Sequence, residues 1–409
     1  MNQKSQSFIQ EMFNEFYRQE YTPKALSTIE KREFGFISPE GFMIRHKSFK
    51  NVDELKSYLE NLTPTDAYYS CAYYENPEAE MDKKGWIGAD LIFDVDADHI
   101  PTNCDKVHDE WKCGNCGFSG KGVTPEKCPI CNGEKFSATS WPCEACLESA
   151  KVETIKLLDM LMNDFGFSDK EIHTFFSGHR GYHVQIEREN VRTLDAVARK
   201  EIVDYVTCLG LEILSNSYKN KKIGTRVYRN LKLDDFGWNR RIKEGTIKFI
   251  LESNEEELTK INLKKNVAKE IIQNKETVIK NLKIGTLRSV RGVGVETWRK
   301  LMEHVAIMQS AKIDTVVTTD IHRLIRMPET LHGKTGFRKV EFPPSKIDSF
   351  DPFKEAISFK RKTATVFVSS APRFRLDEEV FGPYKNQRVT LPAAAAILLI
   401  CKGKAEVAE

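Results

Sequence analysis

A chain of 409 residues, 40% hydrophobic and 30% charged, has the composition of a globular protein with a core to bury, which excludes a disordered or fibrous class. A formal net charge of +3 excludes a uniformly basic or acidic surface, so any charge that attracts a ligand must be local. No apolar run reaches the roughly 18 residues of a membrane-spanning helix, and the opening MNQKSQSFIQ lacks the apolar segment of a signal peptide, so an intracellular, cytoplasmic chain without membrane contact is expected.

Residues 5–20 carry apolar side chains at helical spacing, and 31–49 alternate polar and apolar around Pro39-Glu40-Gly41 in the manner of a hairpin. VDELKSYLENL (52–62) returns to a helical period. AYYSCAYYE (67–75) and ADLIFDVDAD (89–98) read as strands, the second buried at its start. A cysteine-rich segment follows, then an amphipathic helix over 147–164 and strands over 171–178 and 181–187. From about 192 to 310 the chain is highly charged and reads as helical, broken at Gly210, Gly237, Gly245 and Gly285. IDTVVT (313–318) reads as a strand opened by Asp314, 319–336 as a short helix stopped by Pro328 and followed by a polar turn, and 363–371 as a late strand. The run LPAAAAILLICKGKAE (391–406) reads as a buried helix, and the last few residues as disordered. Mixed strand and helix spacing predicts an α/β or α+β fold. The expected units are a core of 1–191 plus 311–409, a metal-binding insertion over 104–146 and a mainly helical subdomain over 192–310.

Four groups of residues carry chemistry. Asp94 and Asp96 stand two apart on a strand and so share a face. A hard divalent cation between them would relieve their repulsion, while a merely solvated strand end is the plainer alternative. A calcium loop is excluded, since its sixth and twelfth positions would need Gly and Glu and are His99 and Asp105. Ser177-Gly178-His179-Arg180-Gly181-Tyr182-His183 combines two glycines with donor and cationic side chains, as phosphate-holding turns do, although ordinary turns share the pattern. Arg323, Arg326, His332, Lys334 and Arg338 form a basic cluster suited to a triphosphate or a nucleic-acid backbone, or simply a solvated face. Gly333-Lys334-Thr335 is not a P-loop, because the leading glycine would fall at Pro328.

Seven of the ten cysteines lie between 104 and 146. Cys113-x₂-Cys116 and Cys128-x₂-Cys131 have zinc-ribbon spacing, and Cys104-x₃-His108 and Cys143-x₂-Cys146 flank them. Nesting suggests an inner Cys₄ site (ribbon about 109–142) and an outer Cys₃His site, both closed and structural, with an interleaved pairing as the alternative. Cys71, Cys208 and Cys401 read as small buried apolar residues.

KREFGF (31–36), FMIRHKSF (42–49), GWIGADLIFDVDADHI (85–100), FFSGHRGYHV (175–184) and DIHRLIRMPETLHGKTG (320–336) together resemble the catalytic small subunit of archaeo-eukaryotic DNA primases, archaeal type. The resemblance implies a primase catalytic fold with an RRM-like element, a zinc knuckle and a variable helical subdomain. It also implies template-directed synthesis of short RNA, and possibly DNA, primers on single-stranded DNA by two-metal-ion nucleotidyl transfer. Under it, Asp94, Asp96 and Asp314 match the ligands of catalytic Mg²⁺ or Mn²⁺. Ser177, Arg180 and His183, with His179 beside them, match a triphosphate-binding turn, and Arg32, Arg326, His332 and Lys334 match further nucleotide contacts. Asp98 is an extra acid outside the pair. Cys104, His108, Cys143 and Cys146 match the family's zinc knuckle, with the second zinc at Cys113, Cys116, Cys128 and Cys131. The implied partners are an iron–sulfur-containing large subunit in a heterodimer, a single-stranded template and NTPs or dNTPs, in a cytoplasmic, nucleoid-associated setting. Two alternatives stand beside it: a repair or plasmid primase-polymerase, and a non-catalytic zinc-ribbon nucleic-acid-binding protein.

Overall fold

The alternation in 31–49 forms two antiparallel strands, Phe34–Ile37 and Met43–Lys47, joined through the Pro39-Glu40-Gly41 turn. This computed structural model describes residues 1–408 apart from 25, 27, 101, 103, 213–217, 224–225, 232–235 and 285–292, with the backbone alone described at 99, 105, 218–223 and 226–231. The hairpin continues through Asp66–Ser70 to Leu324–Arg326 as one four-stranded sheet. A second sheet runs in the order Val340–Phe342, Ile172–Phe176, Gly181–Ile186, Leu91–Asp96. Every registered pair in both sheets is antiparallel, so the fold is α+β rather than a parallel α/β sheet.

The helices form for reasons visible in their residues. Gln3–Glu15 is capped by Asn2, whose side chain accepts the Ser5 N–H at 2.8 Å, and it buries Ile9, Met12 and Phe13. Ala393–Cys401 is apolar on all sides and buries Ala393 and Ala395 through Ile400, as a helix enclosed by protein must. It lies between Tyr384–Pro392 and Ala405–Val407, which both pair with Thr363–Ala371. Residues 405–407 are therefore in a strand, because main-chain pairing recruits a tail that its own side chains would leave loose. Cys71 is buried, whereas Cys208 and Cys401 are only half-buried.

Two further expectations change. Asp314 does not open a strand: it caps the helix Thr315–Thr319, accepting the Val316 N–H at 2.9 Å. The β-branched run suggests a strand, yet local capping outweighs that weak preference. Residues 324–326 are a strand, not a helix, because they pair with Asp66–Ser70, a partner more than 250 residues away that no local pattern reports.

The described residues divide into two compact units, one of 1–155, 168–200 and 312–409, the other of 156–167 and 201–311. The boundary expected at 192 thus falls at 201, and a stretch of the helix Glu144–Asn163 belongs with the second unit. That unit contains the helices Gly237–Glu252, Glu255–Lys260, Lys265–Gln273, Lys275–Lys283 and Val295–Gln309. It also holds an antiparallel hairpin, Tyr218–Ile223 with Arg226–Leu231, which the charge-rich sequence conceals. Arg241 is pinned there by Asp159 at 2.5 Å and Asp164 at 2.6 Å.

Within the first unit Arg32 ties the two sheets together. It is fully buried, donates to Asp90 at 2.7 Å, to the Tyr73 hydroxyl at 2.6 Å and to the Ser70 carbonyl at 2.8 Å, and lies over the Tyr73 ring. Tyr73 and Gln185 also donate to the Asp90 carboxylate, at 2.8 Å and 3.1 Å. An enclosed, hydrogen-bonded pair of this kind tolerates the loss of neither partner. Asp90→Ala leaves the guanidinium buried without its anion and should cost about 3–5 kcal/mol, read as a lower urea midpoint for the first unit.

Candidate active site

The candidate site begins with one strand pairing. Leu91–Asp96 pairs with Gly181–Ile186 so that Asp94 faces His183 and Asp96 faces Gly181. Leu91, Ile92, Phe93 and Val95 are buried and fix the strand, leaving Asp94 and Asp96 half-buried on the shared face. Gly181 permits the approach: a Cβ there would stand 2.4 Å from the Val95 carbonyl oxygen. The Asp314 N–H donates to the Asp94 carbonyl at 2.8 Å, which brings the third acid to the first. Burial, and then the charges of Asp96 and Asp314, push the Asp94 carboxyl up to about 7. Its Oδ1 is buried without a hydrogen-bond donor, His183 Nε2 standing 3.4 Å away, and His183 Nδ1 is likewise buried without a partner. A buried carboxylate oxygen with no donor beside two more acids is suited to a cation.

A cleft of about 250 Å³ is lined by Asp94, Asp96 and Asp98 together with Ser177, His179, His183, Arg323, Arg326, His332 and Lys334. The Ser177 hydroxyl accepts the N–H groups of His179 and Gly181, which holds the turn. Arg326, on the strand Leu324–Arg326, is fixed by Asp66 at 2.6 Å and the Leu331 carbonyl at 3.1 Å. His332 lies tilted against His179 with ring centroids 5.1 Å apart and accepts the Lys334 N–H at Nδ1, which leaves Nε2 to carry the proton of its neutral form. Burial holds His179, His183 and His332 well below the usual imidazole range; Lys402 is the next cause for His179, Lys339 for His183 and Arg326 for His332. All three are therefore neutral donors or acceptors near pH 7. Lys339 is buried and pushed down to about 7 by that burial and by Arg326, with its ammonium donating to the Arg326 carbonyl at 2.8 Å.

Two of the expected nucleotide contacts lie elsewhere. Arg32 is enclosed in the Asp90 network and does not line the cleft. Arg180 is 2% exposed; it donates to both oxygens of Asp109, at 3.0 and 2.7 Å, and pairs with Asp98. The motif places Arg180 on the right turn, but the register sends its guanidinium to the cysteine-bearing insertion. His179 lines the cleft, with its Nε2 taken by Lys402 Nζ at 2.6 Å. Asp96, Asp98 and His179 offer ligand atoms within 4.8 Å of one another, but Arg180 draws on Asp98 and Lys402 on His179. Asp66, Asp109, Lys339 and Lys402 had no signal in the sequence, because each acts through a partner distant along the chain, save Asp109 beside His108.

The insertion presents two ligand groups. Cys104, His108, Cys143 and Cys146 gather with separations of 3.2–3.6 Å, and Cys113, Cys116, Cys128 and Cys131 form the second group, with 3.6 Å across each of two cysteine pairs. The second group sits on a three-stranded sheet, Ser119–Lys121, Glu110–Cys113, Phe136–Thr139, where Trp111 packs edge-on against Phe118 and Phe136. Gly120 lies over Trp111, whose ring would be 2.4 Å from an added Cβ.

Comparison with known proteins assigns the class. Residues 140–344 match a family model described as DNA primase small subunit, so the chain is of the nucleotidyltransferase class. Over 99% of both chains it is 33% identical to the DNA primase small subunit PriS of Methanococcoides burtonii. Over the full length of both chains it is 32% identical to PriS of Methanothrix thermoacetophila and 28% to that of Nitrosopumilus maritimus. The chain belongs to the DNA primase small subunit family.

Ionisation of Asp94 beside Asp96 and Asp314 opposes folding. The folded pKa of Asp94 lies above its unfolded value near 3.9, so its ionisation opposes folding increasingly between about pH 4 and 7. Asp94→Asn should therefore raise the thermal midpoint measured without Mg²⁺ or Mn²⁺ at pH 8, with a smaller gain at pH 5.

Proposed function

We propose that this catalytic primase subunit synthesises short RNA, or also DNA, primers on single-stranded DNA, joining NTPs or dNTPs in the cleft between the acids and the basic cluster. The observation that carries this reading is a cleft lined by Asp94, with its orphaned buried oxygen, and Asp96 together with Arg323, Arg326 and Lys334, while the Asp314 main chain is hydrogen-bonded to Asp94 beside it. These three carboxylates would hold Mg²⁺ or Mn²⁺, since hard cations prefer oxygen ligands. When bound, the ions supply charge neutralisation for an attacking 3′-hydroxyl and a departing pyrophosphate.

The chain's own residues do the rest. Arg323, Arg326 and Lys334 attract the triphosphate, and His332 donates from Nε2 while remaining uncharged. Asp66 fixes the Arg326 guanidinium, so little rotamer entropy is lost when a phosphate arrives. Ser177 shapes the turn beneath, and His183 sits against Asp94 as an uncharged spacer that keeps its carboxylate on the cleft side. The two cysteine groups fit structural Zn²⁺, for tetrahedral sulfurs about 2.3 Å from zinc lie about 3.8 Å apart. An iron–sulfur-containing large subunit would complete the enzyme, as the family resemblance implies. A merely DNA-binding ribbon protein would leave the Asp94 cluster, with its cost to stability, unexplained.

Primer formation from NTPs or dNTPs on single-stranded template, with Mn²⁺ or Mg²⁺ and the large subunit supplied, tests the reading. Template binding without incorporation would overturn it. Asp94→Ala and Asp96→Ala should each reduce synthesis by more than about a thousandfold, an expectation from the loss of metal charge stabilisation, while circular dichroism stays unchanged. Elemental analysis should return about two zinc equivalents per chain; one would mean that only one cysteine group is a metal site.

A further inference from the structure

Arg180 is the buried cation that the nucleotide reading leaves without a task, and its partners form a continuous chain. His108, in the outer cysteine group, places Nδ1 2.7 Å from Asp109 Oδ1. Asp109 is 92% enclosed, its Oδ1 also accepting the Trp141 N–H at 3.1 Å, and both its oxygens receive Arg180 Nη1. Arg180 Nη2 pairs with Asp98. The Asp98 N–H in turn donates to Asp96 Oδ1 at 2.9 Å. The Arg180 carbonyl adds a main-chain bond from the Ala97 N–H at 3.2 Å, so both residues after Asp96 are held from the same place.

We infer that Asp109 and Arg180 are positioning residues that use the outer metal site as an anchor to aim Asp96. The inference rests on the reading of Asp96 as a ligand of the catalytic cation. A carboxylate at a strand end can rotate, and a rotating ligand binds a cation weakly. Fixing the next two residues removes that freedom, and fixing them through a buried ion pair resists salt screening. A carboxylate behind a ligating imidazole ordinarily ends in protein or solvent; here it continues to the catalytic strand, which makes the insertion a splint for the active site. This also explains why Asp98, exposed to solvent on its side chain, sits beside the acid pair without competing for the cation: its charge is directed to Arg180.

Manganese binding followed by electron paramagnetic resonance tests this on the full chain, with zinc content measured alongside. Asp109→Asn keeps an acceptor for His108 and Trp141 but removes the charge that holds Arg180. Asp98→Ala cuts the same chain at an exposed side chain that belongs to neither cysteine group, where loss of folding is not expected. Each should weaken Mn²⁺ binding about 10–100-fold, the usual effect of losing an outer partner of a ligand. Both should lower kcat with little change in the nucleotide KM, and the double variant should be no worse than the weaker-binding single one, since both cut one chain. Additive losses would overturn the inference. So would an Asp109→Asn defect that appears only with loss of zinc while Asp98→Ala binds normally. If Asp96→Ala itself retains Mn²⁺ affinity, the catalytic-site reading fails instead, a result distinct from either.

Discussion

The active site depends on how closely two strands approach. Gly181 lies against the Val95 carbonyl where no side chain fits, and this lets Gly181–Ile186 pair in register with Leu91–Asp96. A slip of one residue would turn both acids away from the cleft and expose Phe93 and Val95 in their place. The same register puts His183 against Asp94 and starts the turn that carries Ser177 and His179. One backbone contact therefore arranges the acids and the nearer half of the phosphate wall together.

Charge is concentrated here at a cost to the fold. Burial and mutual repulsion raise Asp94 to about 7, while burial lowers Lys339 and Lys402 to about 7 and suppresses three histidines. Every one of these shifts opposes the ionised form, so charge in and around the cleft is held against the preference of burial. A cation on one wall and a polyphosphate on the other would relieve both sides at once, which couples the two ligands through simple charge balance. The buried Arg32–Asp90 pair is the contrasting case, where complete hydrogen bonding makes charge a staple and leaves no vacancy for a ligand.

The cysteine-bearing insertion is joined to the site by ions rather than by apolar packing alone. Arg180 spans from Asp109, beside His108 of the outer cysteine group, to Asp98 just beyond the strand Leu91–Asp96. Such a contact is directional, so it conveys orientation as well as proximity, and a buried ion pair is best at specifying geometry rather than at adding stability.

Local signals in the sequence carried far. Period-two and period-3.6 patterns placed the hairpin within 31–49, the helix at 52–62 and the strand at 363–371, since each is set by neighbours a few residues apart. The i, i+2 acids and the Cys-x₂-Cys spacing marked side chains that could hold a metal, because a side chain's face and a chelate's reach are local properties. Tertiary structure alone decided what those side chains touch. Arg32 and Arg180 both match a nucleotide-binding motif, and both are ion-paired to a buried aspartate that no motif predicts. Asp314 looks like the start of a strand until its cap and its bond to Asp94 are seen, and 324–326 become a strand only beside Asp66–Ser70. The sequence by itself determined which chemistry is possible; the long-range pairings determined which residues are free to perform it, because a buried charge must satisfy its nearest partner before it can serve a ligand.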